Sequence, residues 1–425
     1  MAQFSEILEF LQSPTAYSVY SDVVQVLITV SPIVLTFILL MIFAPLWVNY
    51  VQSKNFFKTK VVLLDIKLPK ETIKSPLAME LFLTSLHQTG GEGTWYDKYW
   101  HGKTRPWYSL EMVSIEGQIK FYIWTRESQR SFTESSLYAQ FPGIEINQVN
   151  DYTRSVKYDP KETSMFACEF KLVKDDAYPI KTYIDYGLDK DPDEEYKVDP
   201  LAPLIEFLGS VGFNQQVWIQ IIVRAHKKEQ PKPGHWWKKT DAWKDRAEAE
   251  VNKIMQRDAK TKVVGKKDEK SGRVIPPTLS KGEQETLAAI ERSLTKISFD
   301  VGIRALYIAK KDFFDGANIG GIFGSFKQFS SESLNGFRPN DDKYSRIFSY
   351  PWQDWRNIRY NKQMAMALEA YKRRMFFYNP FIGTPFVLNS EELATIFHFP
   401  GQVAAAPNLY RVPSKKGQAP SNLPI

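Results

Sequence analysis

A segment at residues 95–108, WYDKYWHGKTRPWY, interleaves aromatic and basic side chains. Aromatic faces stack on nucleobases and basic groups hold phosphates, so the segment could bind single-stranded nucleic acid. The same residue types suit a membrane interface, where tryptophan and tyrosine anchor and long basic chains reach the headgroups. Packing inside the fold or against another protein is the third interpretation, since tryptophan, tyrosine and arginine dominate protein contacts. The candidate contact residues are Trp95, Lys98, Trp100, Lys103, Arg105 and Trp107.

A second basic and aromatic segment lies in an insertion at about residues 227–280. Between Lys227 and Arg273 there are fifteen Lys or Arg and eight Asp or Glu, an excess of seven that equals the whole net charge of +7. The middle, Asp241–Lys260, favours a helix but has few apolar residues. We therefore expect a solvated arm away from the core, or a helix that packs only in an assembly. The candidate contact residues here are Trp236, Trp237, Lys238 and Lys239. Like the first segment, they could bind nucleic acid, lie at a membrane interface or pack against protein.

The sequence shows no catalytic or metal-binding pattern. There is no GxxxxGK[ST] motif, and Gly316–Phe326 is Gly-rich without the phosphate-binding lysine, which favours a loop entering a helix. No two of the five histidines are four residues apart and Cys168 is the single cysteine, so a local zinc site is not expected. The acidic stretch Asp185–Asp199 contains Pro192 and lacks the glycine of a calcium loop, which favours a solvated loop. We predict a protein that is not an enzyme and holds no cofactor.

An uncharged stretch, Val23–Ser53, decides where these candidate residues can lie. From about Val26 to Val48 it provides about 23 residues, enough to cross a hydrocarbon layer of about 30 Å as one helix. A cleaved signal peptide and a buried core helix are the alternatives, but residues 1–22 contain no Lys or Arg for a basic n-region. The sequence therefore predicts a single transmembrane helix at residues 23–50.

The charges that flank this helix predict its direction. Lys54, Lys58 and Lys60 follow the apolar stretch, and nothing basic precedes it. By the positive-inside rule, the short N-terminus (residues 1–22) is extracytoplasmic and residues 54–425 are cytoplasmic. We expect a single-pass protein of the cytoplasmic (inner) membrane, in contact with the lipid bilayer.

Composition is compatible with ordered cytoplasmic domains after this anchor. Hydrophobic residues make up 43% of the chain and aromatic residues 14%, which excludes wholesale disorder. A single cysteine, Cys168, cannot form an intramolecular disulfide and suits a reducing compartment. The net positive charge fits a polyanion partner, either nucleic acid or anionic lipid headgroups.

The fold class predicted for the rest of the chain is α+β, with two ferredoxin-like (split βαβ) modules. Residues 54–155 form the first α+β module, because their elements follow the order β-α-β-β-α-β. Within it, Ser75 is placed to cap a helix and Glu116-Gly117 to form a hairpin turn.

The second α+β module, at residues 160–340, has a similar order. It begins with a predicted strand pair at 166–173 and 178–186 and contains the long, charged helical insertion at 227–280. A C-terminal aromatic and helical region follows at 341–400, in which Ser390 is placed to cap a short helix. Residues 401–425 are a Pro-rich tail that is typical of a linker.

Several phrases of the sequence resemble a known family. Ser75–Gln88, Val113–Trp124 and Leu137–Tyr152 are similar to the N-terminal, membrane-proximal region of type IV secretion (conjugation) coupling-type ATPases of candidate-phylum bacteria. Arg373–Gly401 and Arg411–Ile425 resemble the segment that precedes the ATPase domain of those proteins. The resemblance implies that a Walker-type motor follows this region. No such motor is present up to residue 425, so the expectation is that the ATPase is a separate polypeptide.

Together these features predict a non-enzymatic, membrane-anchored component of a type IV secretion or conjugation-like apparatus. Its cytoplasmic modules would form a platform for the partner ATPase. As a homo-oligomer, the protein could have the same number of subunits as the ring of that ATPase. The alternative is a membrane-tethered single-stranded DNA-binding protein that uses the 95–108 segment and the basic insertion. A hydrolase with catalytic groups scattered along the sequence is the third, less favoured hypothesis.

Overall fold

The computed structural model describes residues 14–69, 75–189, 198–231, 239–255, 266–267, 274–275, 279–340, 348, 350–400 and 411–412. The chain divides into two compact units. Unit 1 comprises Met1–Lys58 and Glu92–Thr104, and unit 2 comprises Thr59–Gly91 and Arg105–Ile425.

Unit 1 is dominated by one long helix, α1 (Pro14–Lys58), of 45 residues. Its part Val24–Lys58 is long and apolar enough to cross a membrane, by length and composition, and none of its most apolar window is buried. The helix is longer than the predicted span of 23–50 at both ends, because it also includes residues 14–22 and 51–58. A short helix, α3 (Trp95–Tyr99), lies in the second segment of the unit, where Thr94 accepts a hydrogen bond from the Asp97 N–H at 3.1 Å.

Proline in the middle of α1 is accommodated by a neighbouring hydroxyl group. Pro32 lies inside the helix and has no N–H to donate to the carbonyl of Ile28. The Ser31 hydroxyl donates to that carbonyl instead, at 2.9 Å. Backbone groups in an apolar environment must be satisfied within the chain, so this bond lets the helix continue through the proline.

Unit 2 is a mixed α+β unit. In chain order its elements are β1 (Val61–Pro69), α2 (Pro76–Ser85), β2 (Trp107–Ile115), β3 (Gln118–Arg126), α4 (Arg130–Gln140), β4 (Glu145–Val149), β5 (Thr163–Leu172), α5 (Ala202–Gly209), β6 (Gln215–Ala225), β7 (Gln230–Pro231), β8 (Lys239–Thr240), α6 (Ala242–Ile254), β9 (Lys266–Lys267), β10 (Val274–Ile275), α7 (Lys281–Thr295), β11 (Ser298–Lys310), α8 (Ala317–Phe326), β12 (Phe337–Asn340), α9 (Ile358–Arg373), β13 (Phe386–Asn389), α10 (Ser390–Ile396) and β14 (Arg411–Val412).

One sheet unites ten of the strands that the structure describes. Its main path has the order β12-β5-β11-β6-β2-β3-β1-β14, while β4 pairs with β1 and β13 with β11. In the first half, the antiparallel order is β4-β1-β3-β2, and in the second half it is β12-β5-β11-β6. Strands β2 and β6 pair antiparallel, with Met112 opposite Ile219, so the two halves share a continuous sheet.

Local signals in the first half are confirmed. Ser75 caps α2 by accepting a hydrogen bond from the Leu77 N–H. Glu116 (φ 52°) and Gly117 (φ 81°) form the turn between β2 and β3, and positive φ at both central positions is typical of a type I′ hairpin. Below the sheet, buried side chains of α2, α5, α8 and α10 join those of the strands in one hydrophobic cluster.

The predicted strand at 178–186 is wrong, because residues 178–182 are irregular and residues 183–186 form a turn. Two of their backbone N–H groups bond to side chains of α10 rather than to a neighbouring strand. The N–H of Ile180 donates to Glu392 at 2.8 Å, and that of Tyr183 donates to Thr395 at 3.0 Å. The buried apolar residues that suggested a strand therefore pack as an irregular segment against this helix.

The predicted solvated arm is also wrong for its described part. Asp241 caps α6, and the buried residues Trp243, Ala247 and Val251 repeat every four positions. They form a narrow apolar stripe, and Ala247 and Val251 pack with Leu287 and Ile290 of α7. Three apolar residues on one face are enough to dock a helix that is charged elsewhere.

Two smaller predictions differ from the structure. Gly316–Phe326 is helix α8 almost from its start rather than a loop entering a helix. The cap of α10 is Asn389, not Ser390: Asn389 and Glu392 form a reciprocal capping box, and every residue of this short helix is buried. The helix is therefore part of the core of unit 2.

Candidate functional site

Basic and aromatic residues of unit 1 gather at the C-terminal end of α1. The segment Glu92–Thr104 lies along the last turns of this helix. Trp47 Nε1 donates a hydrogen bond to the Tyr99 carbonyl at 2.9 Å, and Asn55 Nδ2 donates to the Gly102 carbonyl at 2.9 Å. Gly102 has a φ of +62°, and a Cβ there would collide with the backbone of Val51. Close backbone approach and positive φ together require glycine at this contact.

Aromatic rings surround this end of the helix. Trp47 lies 6.0 Å from Tyr50 and 5.6 Å from Trp100, measured between ring centroids. Trp95 and Trp100 remain 72% and 58% exposed. Exposed aromatic rings at the end of an apolar helix are typical of the belt that anchors proteins at the membrane interface.

A cavity of about 440 Å³ lies between the helix end and the segment. We call it the basic cavity. None of the described residues that line it is acidic, and its charged or polar walls include Tyr50, Lys54, Lys58, His101 and Lys103.

One carboxylate lies just outside the basic cavity. Asp97 pairs with Lys103 at 2.8 Å. Hydrogen bonds from Lys103 and then Thr94 hold the pKa of Asp97 below its usual range. Lys103 is therefore oriented by Asp97, while Lys54 lies 5.9 Å from the centre of the Tyr50 ring.

Four of the predicted contact residues lie in this unit. Trp100 and Lys103 line the basic cavity. Trp95 and Lys98 belong to α3, where Lys98 lies over the Tyr99 ring at 5.6 Å. The structure thus brings these four residues together at the end of α1.

Arg105 and Trp107 are not contact residues, because both are buried in unit 2. Arg105 donates to the Ala225 carbonyl at 3.0 Å and pairs with Glu229 at 2.5 Å. Trp107 Nε1 donates to the Arg374 carbonyl at 2.8 Å. The continuous pattern at 95–108 therefore divides after Thr104: its first part is exposed, and its second part begins an interior strand.

Of the four contact residues predicted in the insertion, the structure describes one. Trp236, Trp237 and Lys238 lie outside the described residues. Lys239 is exposed and belongs to β8, which pairs with β7.

Sequence reasoning missed the participation of the helix itself in the site. Trp47 and Tyr50 stand out in the sequence as belt residues, and Lys54 and Lys58 as flanking charges. Their association with residues 100–103 depends on a contact between positions about fifty residues apart, for which the sequence contains no local signal.

A second polar feature is a row of side chains across the sheet of unit 2. Its members lie directly opposite one another on eight successive strands, which we call the polar row: Asn340, Glu169, Arg304, Gln220, Glu111, Tyr122, Asp65 and Asn147.

The charges at the centre of the polar row are paired. Arg304 binds Glu169 at 2.7 Å, and Arg374 binds Glu111 at 2.8 Å and Asp151 at 2.6 Å. Arg304 also donates to the carbonyls of Ala370 and Met375, at and just beyond the end of α9. Burial would raise the pKa of Asp151, but the charge of Arg374 outweighs it and lowers the pKa. Arg374 therefore holds Asp151 ionised, and the two arginines offset the charge of the buried carboxylates Glu169 and Glu111 inside the sheet.

The remaining candidates for chemistry are the Cys168 thiol and clusters of metal-binding side chains. Burial raises the pKa of the Cys168 thiol, which disfavours the nucleophilic thiolate. Across the part of the chain that the structure describes, no group of three or more His, Cys, Asp or Glu side chains could hold a metal ion.

Comparison with known families adds one finding. Residues 52–409 match a family described as Domain of unknown function (DUF8128). The chain belongs to this family. The matched region includes Lys54, Lys58 and the whole segment Glu92–Thr104, but it leaves most of the apolar part of α1 outside. No curated protein matches the sequence.

Proposed function

We propose that this protein is a non-enzymatic, single-pass component of a type IV secretion or conjugation-like apparatus in the cytoplasmic membrane. Residues 54–425 lie on the cytoplasmic side and form a platform for a separate Walker-type ATPase, with a homo-oligomer matching the ring of that motor. The observation that carries the membrane part is helix α1, whose apolar side chains, such as Ile33 at 72% and Phe37 at 62%, are exposed. A soluble protein rarely leaves so large an apolar surface open to water.

The organisation of unit 2 supports a platform rather than an enzyme. Its central charges are committed to partners in the polar row, and its ordered sheet extends across both halves of the unit. The link to secretion rests on the sequence resemblance at Ser75–Gln88 and Arg373–Gly401.

We further propose that each half of the sheet is a ferredoxin-like module. With each half's strands numbered in chain order, both halves have the antiparallel order 4-1-3-2 that a split βαβ repeat produces. The helices α2 and α4 in the first half correspond to α5 and α8 in the second. The basic insertion then lies between the second and third strands of the second module.

Two measurements test the proposed function. First, membranes from cells that express the full chain are washed with alkaline carbonate, and reporters are fused at both ends. We expect retention in the membrane, an extracytoplasmic N-terminus and a cytoplasmic C-terminus; a freely soluble protein or the reverse orientation overturns the proposal.

Second, the detergent-solubilised protein is purified and assayed with any protein that co-purifies. We expect a motor ATPase among the partners and no ATP turnover by this chain alone. ATP hydrolysis that persists through further purification overturns the non-enzymatic role.

Single-stranded DNA binding is the second candidate, favoured by the exposed Trp95 and Trp100 beside Lys98. Bases could stack on these rings while the lysine holds a phosphate. If this is the function, log affinity for an oligonucleotide falls linearly with log salt, with a slope reduced by Lys98→Gln. No binding at low ionic strength eliminates this candidate.

A further inference from the structure

We propose that the basic cavity of unit 1 binds the phosphate of one anionic phospholipid, with phosphatidylglycerol as the simplest example. This inference rests on the proposed membrane anchoring and goes beyond it, because an anchor needs only apolar surface. The cavity would make α1 selective for lipid charge.

The depth of the basic cavity fits a headgroup. Lys54 is the first charged residue after Asp22, and it follows Val48, the last residue of the dense apolar stretch, by six positions. Six residues of helix advance about 9 Å, slightly more than the interfacial layer of about 5–7.5 Å on one side of a bilayer, which puts Lys54 at the outer edge of the headgroups. Trp47 lies at the end of the apolar stretch and Tyr50 lies between Val48 and Lys54, where belt residues prefer to sit.

The positive charge of the basic cavity favours binding of an anion. Lys54 and Lys58 are four residues apart on α1 and line the same space as His101 and Lys103. Like charges at this spacing destabilise a helix. Among the residues that the structure describes, no carboxylate lies within ion-pair distance of Lys54 or Lys58, and the Asp97 carboxylate engages Lys103. A phosphate between the two helix lysines would relieve their repulsion and accept charge-assisted hydrogen bonds.

The walls favour a lipid over a free ion or a nucleic acid. The volume of about 440 Å³ exceeds what a phosphate ion needs and suits a phosphate with its glycerol groups. Trp47, Tyr50 and Trp100 provide an aromatic wall on the side continuous with the apolar helix. Inorganic phosphate carries the same charge as the lipid headgroup but has no apolar part to contact the aromatic wall. An oligonucleotide is disfavoured because it would have to enter the cavity at the depth of the headgroups.

The test uses the full chain in neutral detergent, to which phosphatidylglycerol or phosphatidylcholine is added, with bound lipids counted by native mass spectrometry. We expect one saturable phosphatidylglycerol and much weaker retention of phosphatidylcholine. The double variant Lys54→Gln/Lys58→Gln should lose about tenfold or more in affinity, because two charge-assisted bonds are removed. Lys54→Arg/Lys58→Arg should retain binding, which separates loss of the site from loss of the fold.

The matched control is Lys60→Gln/Lys310→Gln, which removes the same charge from two exposed residues that do not line the basic cavity. It should retain affinity within about twofold or threefold. An equal loss in both double variants overturns the proposal in favour of diffuse attraction. Equal retention of phosphatidylcholine, or displacement of the lipid by equimolar inorganic phosphate or oligonucleotide, also overturns it.

Membrane retention of the same variants separates this inference from the proposed function. A wild-type protein found in the soluble fraction refutes the anchoring itself. A membrane-bound Lys54→Gln/Lys58→Gln variant that keeps wild-type lipid affinity refutes only the headgroup site.

Discussion

Arg374 is a buried arginine that binds two carboxylates in the interior of unit 2. It ends α9 in the left-handed conformation, with φ 51° and ψ 36°, where glycine is the usual choice. Its side chain is 1% exposed and binds two carboxylates, Glu111 and Asp151. Burial alone would lower the pKa of Arg374, but the charges of these partners outweigh it and raise the pKa. The ion pairs therefore offset the cost of an unusual backbone conformation.

We expect Arg374→Met to lower the free energy of unfolding by about 3–5 kcal/mol, because it leaves Glu111 buried without its partner. Urea unfolding of the full chain in detergent measures this loss. The neighbour Arg373 is the control: it is 41% exposed and lies 3.5 Å from Glu369, so Arg373→Met should change stability by less than about 0.5 kcal/mol.

The double variant Glu111→Gln/Arg374→Met gives a further check on the same pair. Its cost should be smaller than the sum of the two single costs, because the second substitution removes the charge that the first leaves unpaired. Strict additivity would show that Arg374 acts through packing alone.

His226 joins the sheet to the insertion. Its ring lies between two aspartates, with Nδ1 2.5 Å from Asp300 and Nε2 3.1 Å from Asp241, the residue that caps α6. Burial lowers the pKa of His226, but the hydrogen bonds and charges of the two aspartates outweigh burial and raise it. The protonated ring can donate to both carboxylates, whereas the neutral ring has one N–H.

We expect a pH-dependent difference between the wild type and His226→Gln. A raised histidine pKa contributes stability fully below the unfolded value of about 6.5, and this contribution is lost as pH rises through the folded pKa. The stability advantage of the wild type should therefore shrink from about pH 6.5 upward, as measured by urea unfolding between about pH 5.5 and 9.

His87 serves as a control, because its pKa is shifted in the opposite direction. Its pKa is lowered, chiefly by burial, so it stabilises the fold above its unfolded pKa and this stability is lost as pH falls. His87→Gln should remove some acid sensitivity and leave the alkaline trend in place. An advantage of the wild type over His226→Gln that does not vary with pH would contradict the double bridge.

At the scale of elements, close packing depends on one glycine in the Gly-rich helix. Gly321 of α8 lies against the ring of Phe207 in α5, and a Cβ at this position would collide with that ring. Gly320, the preceding residue, has nothing within 4 Å of its Cβ position. Adjacent glycines in the same helix thus have different surroundings.

We expect Gly321→Ala to destabilise unit 2 by about 1–2 kcal/mol, because overpacking outweighs the better helix propensity of alanine. Gly320→Ala should instead stabilise it by about 0.5–1 kcal/mol. Thermal unfolding of both variants measures the contrast. Stabilisation by both substitutions would show that Phe207 moves away at little cost.

At the scale of the whole molecule, unit 1 and unit 2 differ in whether their apolar side chains are exposed or buried. Unit 1 exposes an apolar helix, whereas unit 2 buries its apolar side chains and pairs its interior charges. A helix in lipid needs apolar residues on its outside, whereas a domain in water needs them inside.

We expect Leu39→Arg/Ile42→Arg to weaken membrane insertion, since each arginine near the centre of a span costs about 2.5–3.5 kcal/mol. Carbonate-washed membranes should retain clearly less of this variant than of the wild type. Val173→Arg/Phe213→Arg replaces two exposed apolar residues of unit 2 and should leave retention unchanged. Equal retention of both variants would argue against a lipid-embedded α1.

The sequence by itself determined the features that depend on neighbouring residues. The apolar stretch of α1, the Ser75 cap, the turn at Glu116-Gly117 and the period-two strands could be read directly, because each reflects a pattern within about a dozen residues. The mixed α+β class followed from the order of these elements. Prediction failed at 178–186, where the side chains of a helix distant in sequence supply the bonds that a strand would need.

The tertiary structure alone decided what lies next to what. Pairing of β2 with β6 joins the two halves, and the shared register aligns residues from eight strands into the polar row. Long-range contacts within unit 2 also bury Arg105 and Trp107, and separate contacts within unit 1 bring Lys103 to the helix lysines. Such contacts depend on the simultaneous packing of segments far apart in the chain, so no pattern within one segment specifies them.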